Sequence, residues 1–371
     1  MLTTEQSTLL ALIRSALWGT ERPENPEIGF DAAKIQGLVP LAFPESAEAK
    51  FCYMHYIRVL YEQNELLSLM GTEGIHVAIL KGTAAAIYYP NPIQRAMGDI
   101  DLIVSQSKFE AANKLMGQSG YQWKTGDAND PGIREIAYNR NGITFELHHH
   151  FSSKGIGVEK YIIRGLDSLV SSEIDGYVFP MLPPLENGLV LLAHIAQHLR
   201  SGLGLRQIID WMMYVHAQLA DETWETTFRP AAADCGLEDL AITATRLCQK
   251  YLGFPDPITW CDGADEKLVD DLLENLLVSG NFGQVHGAGS SVEKVATNIK
   301  RTGLFRYLQQ QGERNWKAYQ EHKALKPLCW AYQIGRYIHR GLGTGRSSIQ
   351  LAEDYTRSQA RYDLLTRLGI N

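Results

Sequence analysis

The hydrophobic pattern of the chain changes at residue 74, and this change constrains the fold more than any other feature of the sequence. Before it, apolar residues recur at helical spacing in residues 2–17 and 46–72. After it, short apolar runs are separated by Gly and polar turns, which predicts strands at 75–80, 100–104, 133–138 and 143–151. Asn141-Gly142 between the last two runs predicts a β-hairpin.

Helical periodicity returns after Pro183 and Pro184 and continues to the end of the chain. It predicts a helix that follows these prolines and runs through Arg200, and further helices at 206–219, 229–251, 264–279, 290–310, 313–340 and 347–368. The predicted fold class is therefore α+β, with a small mixed β-sheet core at residues 74–182. A helical N-terminal region (1–73) precedes this core, and a mostly α-helical C-terminal domain (183–371) follows it.

The charge balance argues against a long nucleic-acid substrate. The 371 residues carry 35 basic and 42 acidic side chains, a net charge of −7, whereas proteins that bind duplexes usually present a basic surface. The five cysteines form no C-x-x-C pair, so neither a zinc ribbon nor a disulfide framework is expected. The N-terminal residues do not show a basic segment followed by an apolar run, as a signal peptide would, and no stretch of 18 apolar residues occurs. We therefore expect a cytoplasmic protein without a membrane partner.

Asp99 and Asp101 form the first chemical motif, Gly-Asp-Ile-Asp-Leu, on the predicted strand at 100–104. Alternate residues of a strand share a face, so both carboxylates point the same way. Their mutual repulsion is relieved by a divalent cation, and Mg²⁺ (or Mn²⁺) is typically held by one or two carboxylates together with substrate phosphates. Alone, D-x-D is also a common pattern of exposed strands.

Lys81, Gly82 and Thr83 lie between the first predicted strand and a short helix. A strand, a Gly turn and a helix N-terminus expose backbone N–H groups that can hold phosphate. Lys81 would add a positive charge and Thr83 a hydroxyl. The alternative is an ordinary tight turn in which Thr83 caps the helix.

Glu146 and His148 alternate with apolar neighbours in the strand at 143–151 and so share its polar face. Glu146 would complete a metal site with the aspartates or deprotonate an attacking hydroxyl. His148 is expected to contact the nucleotide. A solvated strand face is the alternative interpretation.

Together these motifs resemble the DNA polymerase β nucleotidyltransferase superfamily, and in particular its uncharacterised bacterial nucleotidyltransferases. The family pattern of L-K-G, R, D-I-D-L, G-Y and E-L-H matches Leu80–Gly82, Arg95, Asp99–Leu102, Gly120-Tyr121 and Glu146–His148. The match covers about residues 74–151, and more loosely the helices to about 215. One departure is Gly82-Thr83 where the wider superfamily has Gly-Ser, a change that keeps the hydroxyl.

His194, His198 and Arg206 form a further pattern, in the first two helices of the C-terminal half. The resemblance extends to an H-x-x-x-H, G-x-R and later Asp arrangement, which implies that these side chains face the cleft and contact phosphate or the acceptor. Ile195 stands where a zinc protease has its Glu, so a zinc site is disfavoured. A packed helix with hydrogen-bonded histidines is the alternative.

The resemblance implies an enzyme that transfers a nucleoside monophosphate from an NTP to a hydroxyl or phosphate of an acceptor. Asp99, Asp101 and Glu146 would hold the metal, while Lys81 and Arg95 would neutralise phosphate charge. The acceptor stays open among small molecules, sugars, peptides and proteins. Two other functions remain: a D-x-D glycosyltransferase using a nucleotide-sugar, and a non-catalytic nucleotide-binding or antitoxin-like module.

Overall fold

The computed structural model describes residues 2–127, 133–151, 157–200, 202–281, 303–341 and 359–370. In this part of the chain one seven-stranded mixed sheet is surrounded by helices, which confirms the predicted α+β class. None of the helices there is long and apolar enough to cross a membrane. The strands are β1 (Val77–Leu80), β2 (Ile100–Val104), β3 (Gln122–Thr125), β4 (Glu135–Arg140), β5 (Ile143–His148), β6 (Val170–Ile174) and β7 (Tyr177–Met181).

Helices contain most of the described residues outside the sheet. They are α1 (Thr4–Trp18), α2 (Phe30–Gln36), α3 (Val39–Ala42), α4 (Ala47–Thr72), α5 (Gly82–Ala86), α6 (Phe109–Gln118), α7 (Glu159–Leu166), α8 (Pro184–Leu199), α9 (Leu205–Gln218), α10 (Asp221–Thr223), α11 (Arg229–Asp234), α12 (Glu238–Leu252), α13 (Glu266–Ser279), α14 (Leu304–Asn315), α15 (Lys317–Glu321), α16 (Cys329–Gly341) and α17 (359–367).

Two of the helices predicted in the C-terminal half differ from these bounds, and two others lie partly outside the described residues. The one predicted at 229–251 is interrupted at Gly236, whose φ of +67° ends α11 before α12 begins. The one predicted at 313–340 is broken into the end of α14, α15 and α16. The helices predicted at 290–310 and 347–368 lie partly outside the described residues, which show only α14 and α17 there.

The sheet has the order β3-β4-β5-β2-β1-β7-β6. β2 lies between antiparallel β1 and parallel β5, so it is a central strand. Two Gly-containing turns close hairpins on either side of the central strands: Asn141-Gly142 joins β4 to β5, and Asp175-Gly176 joins β6 to β7. All four residues have positive φ, as a two-residue hairpin turn requires.

The first hairpin confirms the sequence prediction, whereas β6 and β7 were not predicted. Their Asp-Gly turn was a readable signal. The polar run Ser171–Glu173 and Pro180 obscured the strand pattern around it. Pro180 lies in β7, next to the edge strand β6, and β7 pairs with β1 only at Met181, so the proline stands beside a short ladder on that side.

Each face of the sheet packs against its own helices because successive side chains of a strand point to opposite faces. Ile79, Leu102 and Leu147 lie in one hydrophobic cluster with α4 and α6. Leu80 and Ile103 point to the other face and belong to the larger cluster that contains α8, α9 and α12. The polar side chains of β2 and β5 therefore face the helical half of the protein.

The predicted N-terminal region contributes to both clusters. Helix α4 packs on the sheet, while α1, α2 and α3 pack into the helical cluster. Trp18 donates a hydrogen bond of 2.8 Å to the carbonyl of Leu252, and Gln36 donates one of 3.1 Å to that of Leu276. Hydrogen bonds between the N-terminal helices and the C-terminal half thus hold the helical cluster together.

A buried ion pair ties the segment before β2 to α9. The Arg95 guanidinium donates two hydrogen bonds to Asp210, of 2.8 and 2.7 Å, and the Tyr89 hydroxyl donates a third of 2.8 Å. Both charged side chains are about 95% buried. Paired charges are tolerated in such a place, whereas a single unpaired charge is not.

Asp210→Asn should destabilise the protein by about 3–5 kcal/mol, because it leaves the buried Arg95 without its counter-charge. The measurement is the free energy of unfolding in urea. Asp256→Asn is the control, since Asp256 pairs with the half-exposed His216 and such pairs contribute about 0–1 kcal/mol. Equal losses in both variants would contradict this account.

Candidate active site

The register between β2 and β5 places the candidate carboxylates. In this parallel pair Asp101 stands opposite Glu146, and Ile103 stands opposite His148. Since alternate residues share a face, Asp101, Glu146 and His148 project towards the helical half, and Asp99 precedes them on the same side. The polar alternation seen in the sequence thus becomes one acidic patch at the centre of the sheet.

A cavity of about 260 Å³ lies between this patch and the helices α8 and α9. Ten of the eleven residues predicted for the site line it: Lys81, Gly82, Arg95, Asp99, Asp101, Glu146, His148, His194, His198 and Arg206. The strands therefore form the floor of the cleft, and helices α8 and α9 form the wall opposite them.

Thr83 is the predicted residue that does not line the cavity. It is buried, and its hydroxyl donates a hydrogen bond of 2.8 Å to Gln63 of α4. The loop before it does reach the cavity, and it has unusual backbone angles: φ is +52° at Lys81 and +23° at Gly82. A non-glycine residue held in such a conformation is typical of ligand-binding loops.

Lys81 and His148 both contact the Asp101 carboxylate. Lys81 Nζ lies 2.6 Å and His148 Nε2 lies 2.9 Å from Asp101 Oδ1. Burial alone would raise the pKa of Asp101, but the Lys81 ammonium and the contact with His148 outweigh it and hold the pKa below its usual range. Asp101 is therefore a buried carboxylate that stays ionised.

Glu146 has the opposite environment. Burial, followed by the negative charges of Asp101 and Glu135, raises its pKa to about 8. Burial and Asp101 also raise the pKa of Asp99. Asp99 and Glu146 thus both lie where burial and neighbouring carboxylates favour the protonated form, and an added cation would lower the pKa values of both.

Among the described residues one group offers ligand atoms close enough together for a metal ion. Atoms of Asp101, Glu146 and His148 all lie within 4.8 Å of one another. Two carboxylates and an imidazole are ordinary ligands of divalent ions, so this donor set fits such an ion. Asp99, predicted as a ligand, lines the cavity but lies outside this group, whereas His148 was predicted only as a nucleotide contact.

The chain matches the model of a family described as uncharacterised nucleotidyltransferase over residues 33–253. This match covers more than half of the chain and includes every residue that lines the cavity. The chain belongs to this nucleotidyltransferase family. No curated protein matches the chain.

The helical wall of the cavity carries the two histidines of the H-x-x-x-H pattern. The His194 and His198 rings pack edge to face with their centroids 4.5 Å apart. Burial, with Lys81 adding to it, lowers the pKa of His194 well below its usual value and that of His198 to about 4. Both rings are therefore neutral near pH 7 and offer hydrogen bonds rather than charge.

Arg206 supplies positive charge from the same wall. It is 7% exposed and donates a hydrogen bond of 2.7 Å to the carbonyl of Ala96. Burial and the nearby Arg95 lower its pKa to about 10, so it remains protonated at neutral pH. Arg95 also lines the cavity, where its guanidinium is held by two hydrogen bonds to Asp210.

The cavity also contains residues that the sequence motifs did not indicate: Gly98, Arg134, Glu135, Phe151 and Gln197. Glu135 could have been found by counting outwards from the hairpin turn, because the pairing of Arg140 with Ile143 puts Glu135 opposite His148. Gln197 lies on α8 between the two histidines and accepts a hydrogen bond of 2.8 Å from Arg134.

The His198 environment makes the folded protein sensitive to acid. The pKa of about 4 in the folded state lies below that of an unfolded histidine, about 6.5. Between these values the unfolded chain binds more protons, so stability is lost as the pH falls from about 6.5 to about 4. In His198→Gln the free energy of unfolding should therefore fall less on acidification than in the wild type, by on the order of 2 kcal/mol.

Urea unfolding at pH 7.5, 5.5 and 4.5 measures this effect. His322→Gln is the control, because His322 is exposed and lies outside the cavity. If the wild type and His198→Gln lost stability equally on acidification, burial of a neutral His198 would be excluded.

Proposed function

We propose that the protein transfers a nucleoside monophosphate from an NTP to a hydroxyl or phosphate group of an acceptor, in a reaction that depends on a divalent cation. The observation that carries this proposal is the opposition of Asp101 and Glu146 across β2 and β5, with Lys81 at 2.6 Å from Asp101. Acidic ligands and a phosphate-neutralising cation thus occupy one cleft. Membership of the nucleotidyltransferase family supports the same reaction class.

The residues divide into two functional groups. Asp101 and Glu146, with Asp99 or His148, would hold Mg²⁺ or Mn²⁺, which when bound supplies positive charge to the phosphates of the nucleotide. Lys81, the Gly82 backbone and Arg206 would bind the triphosphate and offset charge that develops during transfer. Glu146 would complete the metal site or accept the proton of the attacking hydroxyl.

The acceptor would enter against the opposite side of the cleft. His194, His198, Arg134 and Gln197 line that side and provide neutral hydrogen-bonding groups beside one cation. A cavity of about 260 Å³ favours a small acceptor or a protruding side chain over a duplex. We further propose that the enzyme belongs to the polymerase β superfamily and is bacterial, on the strength of the motif pattern at Lys81–Thr83, Asp99–Asp101 and Glu146.

Asp101→Asn should reduce nucleotidyl transfer at least 100-fold, since it removes the charge that opposes Lys81 and the cation, and a single electrostatic group of this kind contributes about that factor. The assay incubates the protein with α-labelled or, in parallel, γ-labelled NTPs, Mg²⁺ or Mn²⁺, and pools of small molecules and proteins. Label should enter a product from the α-phosphate and not from the γ-phosphate.

Asp167→Asn is the matched control, because Asp167 is exposed and lies outside the cavity. Retention of full transfer by Asp101→Asn would refute the assignment. Turnover of UDP-sugars with no labelled nucleotidyl product would favour a glycosyltransferase instead.

A further inference from the structure

His148 is placed more deeply than any other polar residue of the cleft. It is 1% exposed, and its Nε2 faces two carboxylates: Asp101 Oδ1 at 2.9 Å and Glu146 Oε2 at 3.7 Å. Neighbouring ligands of a divalent ion with bonds of about 2.1 Å stand roughly 3.0–3.4 Å apart. These separations are close to that range, so Nε2 is positioned as a third ligand atom.

The second ring nitrogen of His148 points to a carboxylate outside the metal-binding group. Nδ1 is buried and has no hydrogen-bond partner among the described residues, and its neighbour is Glu135 Oε2 at 3.5 Å. Glu135 comes from β4, where it stands opposite His148 in the antiparallel register. Metal-bound histidines almost always donate the other ring N–H to a carboxylate, carbonyl or water, which leaves the first nitrogen free to bind the ion.

Arg134 fixes the carboxylate that His148 faces. Its Nη2 and Nε lie 2.8 and 3.1 Å from Glu135 Oε2, and its Nη1 donates to Gln197 of α8. The order Arg134, Glu135, His148, Asp101 thus runs from the helical wall to the floor of the cleft. Lys81 Nζ lies 2.6 Å from Asp101 Oδ1, and because a carboxylate has lone pairs on both oxygens, Asp101 can bind an ion as well.

We propose that His148 is a direct nitrogen ligand of the metal site formed with Asp101 and Glu146, that Glu135 is its positioning residue, and that the site prefers first-row transition-metal ions to Mg²⁺. Mg²⁺ favours an all-oxygen shell, whereas imidazole suits transition-metal ions. This inference rests on the proposed function only in taking the cleft to be a metal site. It changes the expected ligand set from three carboxylates to two carboxylates and an imidazole.

The test uses the full-length, metal-free protein with Mn²⁺ as the probe. Pulsed electron paramagnetic resonance of bound Mn²⁺ should show the modulation of a coordinated imidazole nitrogen. His148→Gln should lose this modulation. His148→Asp, which replaces nitrogen by oxygen, should lower the ratio of the Mg²⁺ dissociation constant to the Mn²⁺ dissociation constant. Thermal melting without metal checks that each variant folds.

Glu135→Gln keeps His148 and tests its orientation. This variant should retain the nitrogen modulation while its Mn²⁺ dissociation constant rises 10–100-fold, the usual effect of losing such a partner. Asp256→Asn is the matched control, because Asp256 Oδ2 stands 2.9 Å from Nδ1 of His216 and both residues lie outside the cavity. Its Mn²⁺ affinity should equal that of the wild type.

Bound Mn²⁺ without nitrogen modulation, or unchanged Mn²⁺ binding in His148→Gln, would overturn the inference. These outcomes are independent of catalysis. Nitrogen modulation in a protein that transfers no nucleotide would reject the proposed function and leave this ligand set standing. Nucleotidyl transfer by a protein whose bound Mn²⁺ shows no nitrogen modulation would reject this ligand set and leave the proposed function standing.

Discussion

The register of β2 against β5 is the constraint on which the rest of the cleft depends. It sets Asp101 opposite Glu146 and brings His148 to the same face. A slip of one residue would turn one strand's side chains to the other face and bury its carboxylates against α4 and α6. The apolar residues Leu102 and Leu147 prevent this slip, since they fill the cluster on that side. Core packing of one face therefore fixes the chemistry of the other.

The helical half of the protein completes what the sheet begins. Helices α8 and α9 bring two neutral histidines and Arg206 to the wall facing the acids. The Arg95–Asp210 pair joins the segment before β2 to α9, so the wall and the floor hold a fixed relation. The cleft therefore has carboxylates on its floor, positive charge at Lys81 and Arg206, and the neutral rings of His194 and His198 on its helical wall.

Period-two alternation in the sequence predicted the central strands and the face on which Asp101 and Glu146 lie. The β6–β7 pair escaped prediction because polar residues and Pro180 sit in an edge hairpin, where local pattern is weak. Thr83 was expected to face phosphate, yet its hydroxyl meets Gln63 of a helix 20 residues earlier, a contact that no local motif encodes. Glu135 was missed for a similar reason: its significance arises only from pairing across two strands with His148.

Ligand-dependent thermal melting tests the central claim, that this cleft binds a nucleoside triphosphate together with a divalent cation. The protein is melted with ATP, GTP, CTP or UTP, each with and without Mg²⁺ or Mn²⁺, beside the double variant Asp99→Ala/Asp101→Ala. A ligand that binds only the folded state raises the melting temperature by mass action. The account predicts a rise for at least one NTP that requires the cation and is absent in the variant. No rise with any NTP and either cation, or an equal rise in the variant, would contradict it.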